Sequence, residues 1–217
     1  MLVNLSEKYN PEVVIVANGS LSDDEMTREL IEEAPHLIIC DGALSGYLSL
    51  SERTPDAVIG DGDSVKQRDL EEIGVEFIKV ADQETNDLTK AVKYALSKGW
   101  KEMGILGASG KREDHTLGNI ALLAKYHQMG AMPRMISQYG VMMPFKGLLQ
   151  LKVKVLQQLS LFALSSAPMS ARGVAYPFED RFFGALWEAT LNYAQQEIIE
   201  VESADVALIY VAWEVRK

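Results

Sequence analysis

The feature that most constrains the fold is an alternation, over the first 130 residues, between short β-rich runs and helical patterns. Such an alternation is typical of a parallel sheet covered by helices. The predicted strands are 12–17, 37–40, 57–59, 75–80, 103–106 and 133–136. Apolar residues at helical spacing predict helices over 88–96 and 117–124, and a more polar helix is predicted over 22–33.

The composition changes sharply near residue 138. Residues 131–178 contain no acidic side chain, although they carry five basic ones. Alternation at 151–155 and a β-rich run at 206–215 predict short strands in this later part. We therefore expect an α/β protein, in which an N-terminal parallel-sheet, Rossmann-like domain (1–138) precedes a smaller C-terminal antiparallel β-sandwich (139–217). The alternative is that the second part only extends the first core.

Charge and cysteine content exclude several classes of protein. The 217 residues include 31 acidic and 21 basic side chains, giving a formal net charge of -10, which disfavours a nucleic-acid partner. The single cysteine, Cys40, follows an apolar run and indicates a reduced core thiol in a cytoplasmic protein. No apolar run approaches the ~18 residues that span a bilayer, so we expect no membrane partner.

Polar loops follow the first five predicted strands. They are 18–20, 41–43, 60–64, 82–87 and 107–114. In a parallel sheet these strand ends lie at one edge, where such folds bind ligands. Any one loop could be a simple turn, since Gly, Asp and Asn favour turns. Together, the five loops predict a single ligand-binding crevice rich in carboxylates.

The chemistry of the third loop indicates a hard divalent cation. Asp61 and Asp63 are separated only by Gly62, and like charges this close repel unless a cation or a proton intervenes. Carboxylate oxygens without His or Cys beside them suit Mg²⁺, which usually arrives with phosphates. This pattern predicts a magnesium and phosphate site.

The fifth loop has the features of an anion site. Residues 107–110, including Ser109, precede a predicted helix, so their backbone N–H groups could cradle an anion. Arg112 adds a cation that fits phosphate oxygens, but an ion pair with Glu113 or Asp114 explains it equally well. Neither a P-loop nor a dinucleotide-binding glycine fingerprint is present. Asp87 and Asp114 both stand near predicted helix starts, where capping is the simpler explanation.

Three motifs in this order resemble those of the thiamine pyrophosphokinase family. They are Gly60-Asp61-Gly62-Asp63-Ser64, Asp82-Gln83-Glu84-Thr85-Asn86-Asp87-Leu88-Thr89-Lys90, and Gly107-Ala108-Ser109-Gly110-Lys111-Arg112-Glu113-Asp114-His115. The resemblance also takes in 41–43, 170–176 and 183–192. It implies a catalytic α/β domain for ATP and magnesium, and a β-sandwich that helps to bind thiamine in a homodimer with each site between two subunits. The implied reaction moves the diphosphoryl group of ATP to the hydroxyl of thiamine and leaves AMP.

The resemblance also implies roles for individual residues. Asp61, Asp63 and Asp87 would hold magnesium and the phosphates, with Asp41 in the same acidic crevice. Gln83, Arg112 and Asp114 would contact the phosphates or the substrate, and Ser170 and Tyr176 would face thiamine across the dimer interface.

The chain departs from the family pattern at three positions. Gly62 stands where a bulky residue is usual, Asn86 stands where threonine is usual, and Tyr176 stands where some members have tryptophan. None of these changes removes a carboxylate. Two other functions fit the same loops: another magnesium-dependent nucleotidyl or pyrophosphoryl enzyme, and a non-catalytic nucleotide-binding module.

Overall fold

The computed structural model describes residues 2–65, 67–82 and 84–216. The chain divides into two compact units. The first, the α/β unit, is Asn10–Gln138. The second, the β unit, runs from Tyr139 onward and includes the N-terminal segment up to Tyr9. The predicted range 1–138 thus differs from the α/β unit at its start, because the first strand pairs inside the β unit.

Strands and helices alternate along the α/β unit, whereas the β unit consists mainly of strands. The first strand is β1 (Leu2–Asn4). The α/β unit then contains β2 (Val13–Val16), α1 (Glu25–Glu33), β3 (His36–Cys40), a 3-10 turn (Asp41–Ala43), α2 (Leu44–Leu48), β4 (Ala57–Gly60), α3 (Gln67–Ile73), β5 (Phe77–Lys79), α4 (Asp87–Ser97), β6 (Glu102–Leu106), α5 (Glu113–Gln128) and β7 (Met132–Ser137). The β unit continues with β8 (Gly140–Lys152), β9 (Gln157–Ala163), β10 (Met169–Arg172), β11 (Phe178–Arg181), β12 (Asn192–Tyr193) and β13 (Ile198–Val215).

The strands of the α/β unit form a parallel sheet in the order β7-β6-β2-β3-β4-β5. The central strand β2 pairs with β3 on one side and β6 on the other, so that Val14 lies opposite Leu37 and Gly104. Every residue of β2 is buried, as expected for a strand covered on both faces. All six predicted strands are present, with bounds that differ by one or two residues.

Local capping sets where the helices begin. Asp24 caps α1 by accepting a hydrogen bond from the Thr27 N–H at 2.8 Å, and Asn86 caps α4 by accepting from the Thr89 N–H at 3.0 Å. The helix α5 begins after Arg112 without a side-chain cap. Both α4 and α5 start within eight residues of the strand end that precedes them.

The β unit is built on two long antiparallel strands. β8 and β13 pair from Gly140 with Ala212 to Lys152 with Ile198, and the register shifts between Ser203 and Ala207. Before this shift β13 also pairs with β10, and after it with β9, as expected when an irregularity bends a strand. β11 and β12 extend these pairings, and β1 runs parallel to β8.

The single cysteine is a packing residue at the end of β3. Cys40 is buried, and burial raises the pKa of its thiol, which favours the protonated form. None of the helices in the described part of the chain is both long and apolar enough to cross a bilayer.

Candidate active site

The loops at the carboxyl ends of the parallel strands meet, as the sequence predicts. The loop after β2 bonds to the loop after β6, since the Gly19 N–H donates to the Gly107 carbonyl at 2.5 Å and the Ser20 N–H donates to the Ser109 carbonyl at 2.7 Å. On the other side, the Gly62 N–H donates to Asp41 Oδ2 at 3.1 Å and joins the loops after β3 and β4. These contacts bring the loops together in two pairs at this edge of the sheet, and we call the region between them the crevice.

Two glycines make the close packing of these loops possible. A Cβ at Gly19 would lie 2.4 Å from the carbonyl oxygens of Gly107 and Ser109. A Cβ at Gly60 would lie 2.2 Å from the Asp41 carboxyl group. Real Cβ atoms do not approach this closely, so both positions require glycine if the polar groups are to keep their places.

Asp41 is the most deeply buried carboxyl group of the crevice. Its side chain is 1% exposed, and its Oδ1 atom has no hydrogen-bond partner among the described residues. Burial raises the pKa of Asp41, and the nearby Asp87 carboxylate raises it further. A buried oxygen without a partner next to a second carboxylate is a place where a cation would be stabilised.

Asp87 lies opposite, in the first turn of α4, and it forms an ion pair inside the protein. Lys90 Nζ donates to Asp87 Oδ1 at 2.9 Å, and the side chain of Lys90 is 3% exposed. Burial alone would lower the pKa of Lys90. The pKa is nevertheless raised, because the hydrogen bond to Asp87 and the negative charges of Asp87, Asp61 and Asp41 outweigh the effect of burial. Lys90 is therefore a charged group inside the acidic crevice.

Sequence reasoning assigned no role to Lys90, although it belongs to the second motif. The available signal was its position three residues after Asp87 in a predicted helix, a spacing that brings opposite charges together. The simpler explanation of Asp87 as a helix cap does not hold, because Asn86 is the capping residue of α4.

The loop after β4 places its two carboxylates differently. The Asp63 N–H donates to Asp61 Oδ1 at 3.0 Å, while Gly62 between them has a φ of +91°, which favours glycine. Asp61 is half-buried and Asp63 is exposed. Within the described residues, no three acidic, histidine or cysteine side chains gather closely enough to hold a metal ion.

The loop after β6 has an unusual backbone. Gly107, Gly110 and Lys111 have φ values of +62°, +76° and +60°, in the left-handed region. Lys111 Nζ donates to Asn18 Oδ1 at 3.0 Å, which links this loop to the loop after β2. Ser109 is half-buried at its centre. We call residues 107–112 the anion loop, because they lie directly before α5 and the free N–H groups at the start of a helix favour an anion.

Arg112 and Asp114 form an exposed ion pair at the end of the anion loop. Arg112 Nη2 lies 2.6 Å from Asp114 Oδ2, and Nε lies 3.1 Å from Oδ1. The hydrogen bond and the opposite charge raise the pKa of Arg112 and lower that of Asp114. The surface ion pair considered from the sequence is therefore present. With side chains 70% and 62% exposed, both groups can exchange partners.

A pair of asparagines connects α4 to the anion loop. Asn86 Nδ2 donates to Asn119 Oδ1 at 3.1 Å, and Asn119 Nδ2 donates to the Ala108 carbonyl at 2.9 Å. Further along the same helices, a buried hydroxyl pair joins Thr89 and Tyr126 at 2.8 Å. Sequence reasoning missed Asn119, since it lies beyond the motif that ends at His115.

The two predicted thiamine contacts lie in the β unit. Ser170 is 6% exposed in β10, and its Oγ accepts a hydrogen bond from the Asp180 N–H at 3.0 Å. Tyr176 is 62% exposed, and its ring packs edge-on against Tyr193 at 6.1 Å between ring centres. The remaining predicted contact, Gln83, lies outside the described residues.

The fold defines a class of protein: a mixed α/β protein with a large sheet, in which polar loops follow the carboxyl ends of the parallel strands. Two family models match the chain. The model described as the thiamin pyrophosphokinase catalytic domain matches residues 27–133, and the model described as the thiamin pyrophosphokinase substrate-binding domain matches residues 140–210. The chain belongs to the thiamin pyrophosphokinase family, whose enzymes use ATP to diphosphorylate thiamine.

Solved structures support the fold over nearly the whole chain. Thiamine pyrophosphokinase from Bacillus subtilis is 22% identical, with a TM-score of 0.78, over 94% of this chain and 99% of that chain. The enzyme from Candida albicans is 18% identical (TM-score 0.78; 94% and 90% covered), and the yeast enzyme is 15% identical (TM-score 0.78; 97% and 90% covered). These identities show a shared fold alone. None of the curated protein sequences compared with the chain matches it.

Proposed function

We propose that this chain transfers the diphosphoryl group of ATP to the hydroxyl oxygen of thiamine, giving thiamine diphosphate and AMP, and that the crevice of the α/β unit binds the phosphates. The observation that carries this proposal is the buried Asp41 beside Asp87, with an oxygen that has no partner among the described residues. Such a carboxylate pair favours a cation, and the anion loop, at the same edge of the sheet, favours phosphate. Membership in the family supports the choice of thiamine as the acceptor.

The cation in this proposal is Mg²⁺, and its candidate ligands are Asp61, Asp63 and Asp87, of which one or two would bind it directly. The donor set fits, because carboxylate oxygens without nitrogen or sulfur ligands suit this ion. The lack of a cluster of three such side chains among the described residues is also compatible, since Mg²⁺ usually takes one or two carboxylates and completes its shell with phosphate and water. When bound, the ion neutralises phosphate charge during transfer.

The residues of the chain itself would position the substrates and stabilise charge. Arg112 would leave Asp114 and bind a phosphate oxygen, which its exposure allows. Backbone N–H groups around Ser109 would bind the same chain of phosphates at the start of α5. Gln83 and Asp114 are proposed as further substrate contacts. Aligning the thiamine hydroxyl with the β-phosphorus of ATP then supplies much of the rate enhancement.

The β unit is proposed to bind thiamine through Ser170 and Tyr176. An exposed tyrosine ring can stack on an aromatic cation such as a thiazolium. In the same proposal, the α/β unit is the Rossmann-like catalytic domain and the β unit is an antiparallel sandwich. The predicted cytoplasmic location is part of this proposal too.

We also propose a homodimer in which each site lies between two subunits. Large apolar side chains are exposed along one segment of the β unit, where Phe182, Trp187 and Leu191 are 67%, 73% and 80% exposed. Exposed apolar groups concentrated in this way are typical of protein interfaces. Sedimentation of the wild-type chain and of Trp187→Glu tests this, and a monomeric wild-type chain would contradict it.

The magnesium assignment is tested by an assay of thiamine diphosphate formation from ATP and thiamine. We expect activity to require Mg²⁺, and Asp63→Asn to fold normally but lose most turnover, since Asp63 is exposed. Asp23→Asn, at an exposed carboxylate paired with Arg28, is the matched control. Retained activity of Asp63→Asn at saturating Mg²⁺ would overturn the metal assignment.

The same assay separates the two other functions. ATP hydrolysis that needs no thiamine would favour another magnesium-dependent pyrophosphoryl enzyme. Nucleotide binding without any turnover would favour a non-catalytic module.

A further inference from the structure

Asn86 uses the two ends of its side-chain amide in two different hydrogen bonds. Its Oδ1 accepts from the Thr89 N–H at 3.0 Å and caps α4. Its Nδ2 donates to Asn119 Oδ1 at 3.1 Å and connects α4 to α5. A threonine hydroxyl can accept a cap bond and also donate its O–H, but both bonds would start from one oxygen atom, whereas the amide of Asn86 carries its donor on a separate nitrogen. Asn86 therefore provides both the cap of α4 and a contact with α5.

Asn119 continues the connection from α5 to the anion loop. Its Nδ2 donates to the Ala108 carbonyl at 2.9 Å, and Ala108 is 3% exposed. The next residues along the loop, 109–112, hold the proposed phosphate contacts. One end of this link is therefore the residue directly before Asp87, and the other end is the start of the anion loop.

The link joins groups that must act on the same phosphates. Asp87 belongs to the carboxylate side of the crevice and Arg112 to the anion loop. Catalytic groups must keep their relative positions closely, and a displacement of about 1 Å can cost on the order of 100-fold in rate. The buried pair of Thr89 and Tyr126 already holds α4 against α5. The asparagine link lies at the end of these helices that is nearest the crevice.

We propose that Asn86 and Asn119 are positioning residues, which hold the Asp87 end of α4 at a fixed distance from the anion loop through the Asn86–Asn119–Ala108 hydrogen bonds. The inference rests on the proposed use of this crevice for ATP. It assigns no contact with substrate to either asparagine.

A double-mutant cycle tests the proposal. Asn86→Ser keeps a good capping oxygen but lacks the amide nitrogen that donates to Asn119, and Asn119→Ala removes both bonds of the link. Gln128→Ala, at the far end of α5, removes an exposed amide and serves as the control. For each variant and for the double variant, kcat and KM for ATP are measured at saturating Mg²⁺ and thiamine, together with the melting temperature.

We expect Asn86→Ser and Asn119→Ala each to lower kcat/KM for ATP by about five-fold, the size of one hydrogen bond. The double variant should lose no more than Asn119→Ala, because the two changes interrupt one link. Gln128→Ala should match the wild type. A melting temperature that falls while kcat/KM stays constant would show a purely structural role and overturn the proposal, as would losses that multiply in the double variant.

The design separates this inference from the proposed function. If the wild-type chain forms no thiamine diphosphate, the proposed function fails. If the wild-type chain is active and the asparagine variants equal it, only the positioning role fails. If Asn119→Ala does not fold, Asn86→Ser still decides the question, since it keeps the helix cap.

Discussion

Two ion pairs lie at the starts of neighbouring helices, and they differ mainly in burial. In the Lys90–Asp87 pair of α4 the side chains are 3% and 33% exposed. In the Arg112–Asp114 pair of α5 they are 70% and 62% exposed. The pairs have similar contact distances, 2.9 and 2.6 Å, so distance alone does not distinguish them.

Burial decides what each pair can do. Breaking a pair that is out of water leaves an uncompensated charge, so Lys90 and Asp87 are held together before any ligand binds. An exposed pair contributes little to stability and can exchange partners at low cost. The carboxylate side of the crevice is therefore preorganised, whereas Arg112 is free to turn toward a phosphate.

The largest effect is expected from Lys90→Met. It leaves Asp87 near Asp41 and Asp61 without the ammonium, so turnover should fall by about 100-fold, as for changes behind a metal ligand. The free energy of unfolding should fall by roughly 2–3 kcal/mol, less than the ~3–5 kcal/mol of a fully buried pair because Asp87 is one-third exposed. Steady-state kinetics and urea denaturation measure the two effects.

A matched control for this variant is Lys93→Met on the same helix. Lys93 Nζ lies 3.7 Å from Asp82 Oδ2, and its side chain is 48% exposed. We expect it to cost less than about 1 kcal/mol and to leave turnover close to that of the wild type. If Lys90→Met and Lys93→Met lowered turnover and stability equally, burial would not be what distinguishes the Lys90–Asp87 pair from an exposed pair.

Arg112→Ala should lower activity and leave the stability of the fold nearly unchanged. Turnover should fall by about 100-fold, as when one donor to a developing negative charge is removed. The melting temperature should stay within about 2 °C, since the pair is exposed. Arg28→Ala breaks a similar exposed pair with Asp23 at 2.6 Å and should leave turnover unchanged. If Arg112→Ala melts early but keeps its turnover, its only role is the surface ion pair.

A smaller effect is expected from Tyr176→Ala in the β unit. If the exposed ring stacks on thiamine, KM for thiamine should rise by about five-fold while KM for ATP stays constant. Tyr139→Ala, at another tyrosine of this unit that is 69% exposed, is the control. An unchanged KM for thiamine would count against the stacking role.

The smallest effect, and the one of opposite sign, is expected from Asp41→Asn. The raised pKa of Asp41 means that its ionised form destabilises the folded state near pH 7. An amide removes this charge and can donate toward Asp87, so the free energy of unfolding at pH 7 should rise by about 1 kcal/mol.

The pH dependence of this gain follows from the sign of the pKa shift. The gain should disappear as the pH falls below ~3.9, the ordinary pKa of Asp, because the wild-type carboxyl group is then neutral in both states. Asp82→Asn should show the opposite sign, since the hydrogen bonds of Asp82 with Thr85 and Glu84 lower its pKa. Thermal melts of both variants between pH 3 and pH 7 check this, and a gain that persists at pH 3 would contradict it.

The parts of the fold that could be predicted are those set by local pattern. The apolar runs of β2 and β3 are strands because their residues are buried on both faces, and α4 was predicted from its apolar periodicity. The pairing of β1 with β8 was not predicted, because Asn4 meets Lys152 far along the chain. The short helix α2 was also missed, since five residues give little periodicity.

The candidate site shows the same division. The strand-end loops predicted that Asp41, Asp61 and Asp87 would lie near one another, and the structure brings their charges together. Sequence spacing could not show that Lys90 would be buried or that Asn119 would reach Ala108, since both depend on how α4 and α5 pack. Outside the candidate site, the contacts of His36 also could not be predicted, because its partners, Asp56 and Trp100, come from distant segments of the chain.

The identity of the products shows which group is transferred from ATP. Wild-type protein is incubated with ATP, Mg²⁺ and thiamine, and nucleotides and thiamine esters are separated and quantified over time. Transfer of a diphosphoryl group predicts that AMP and thiamine diphosphate appear in equal amounts. Formation of ADP with thiamine monophosphate, or of AMP without any thiamine ester, would contradict it.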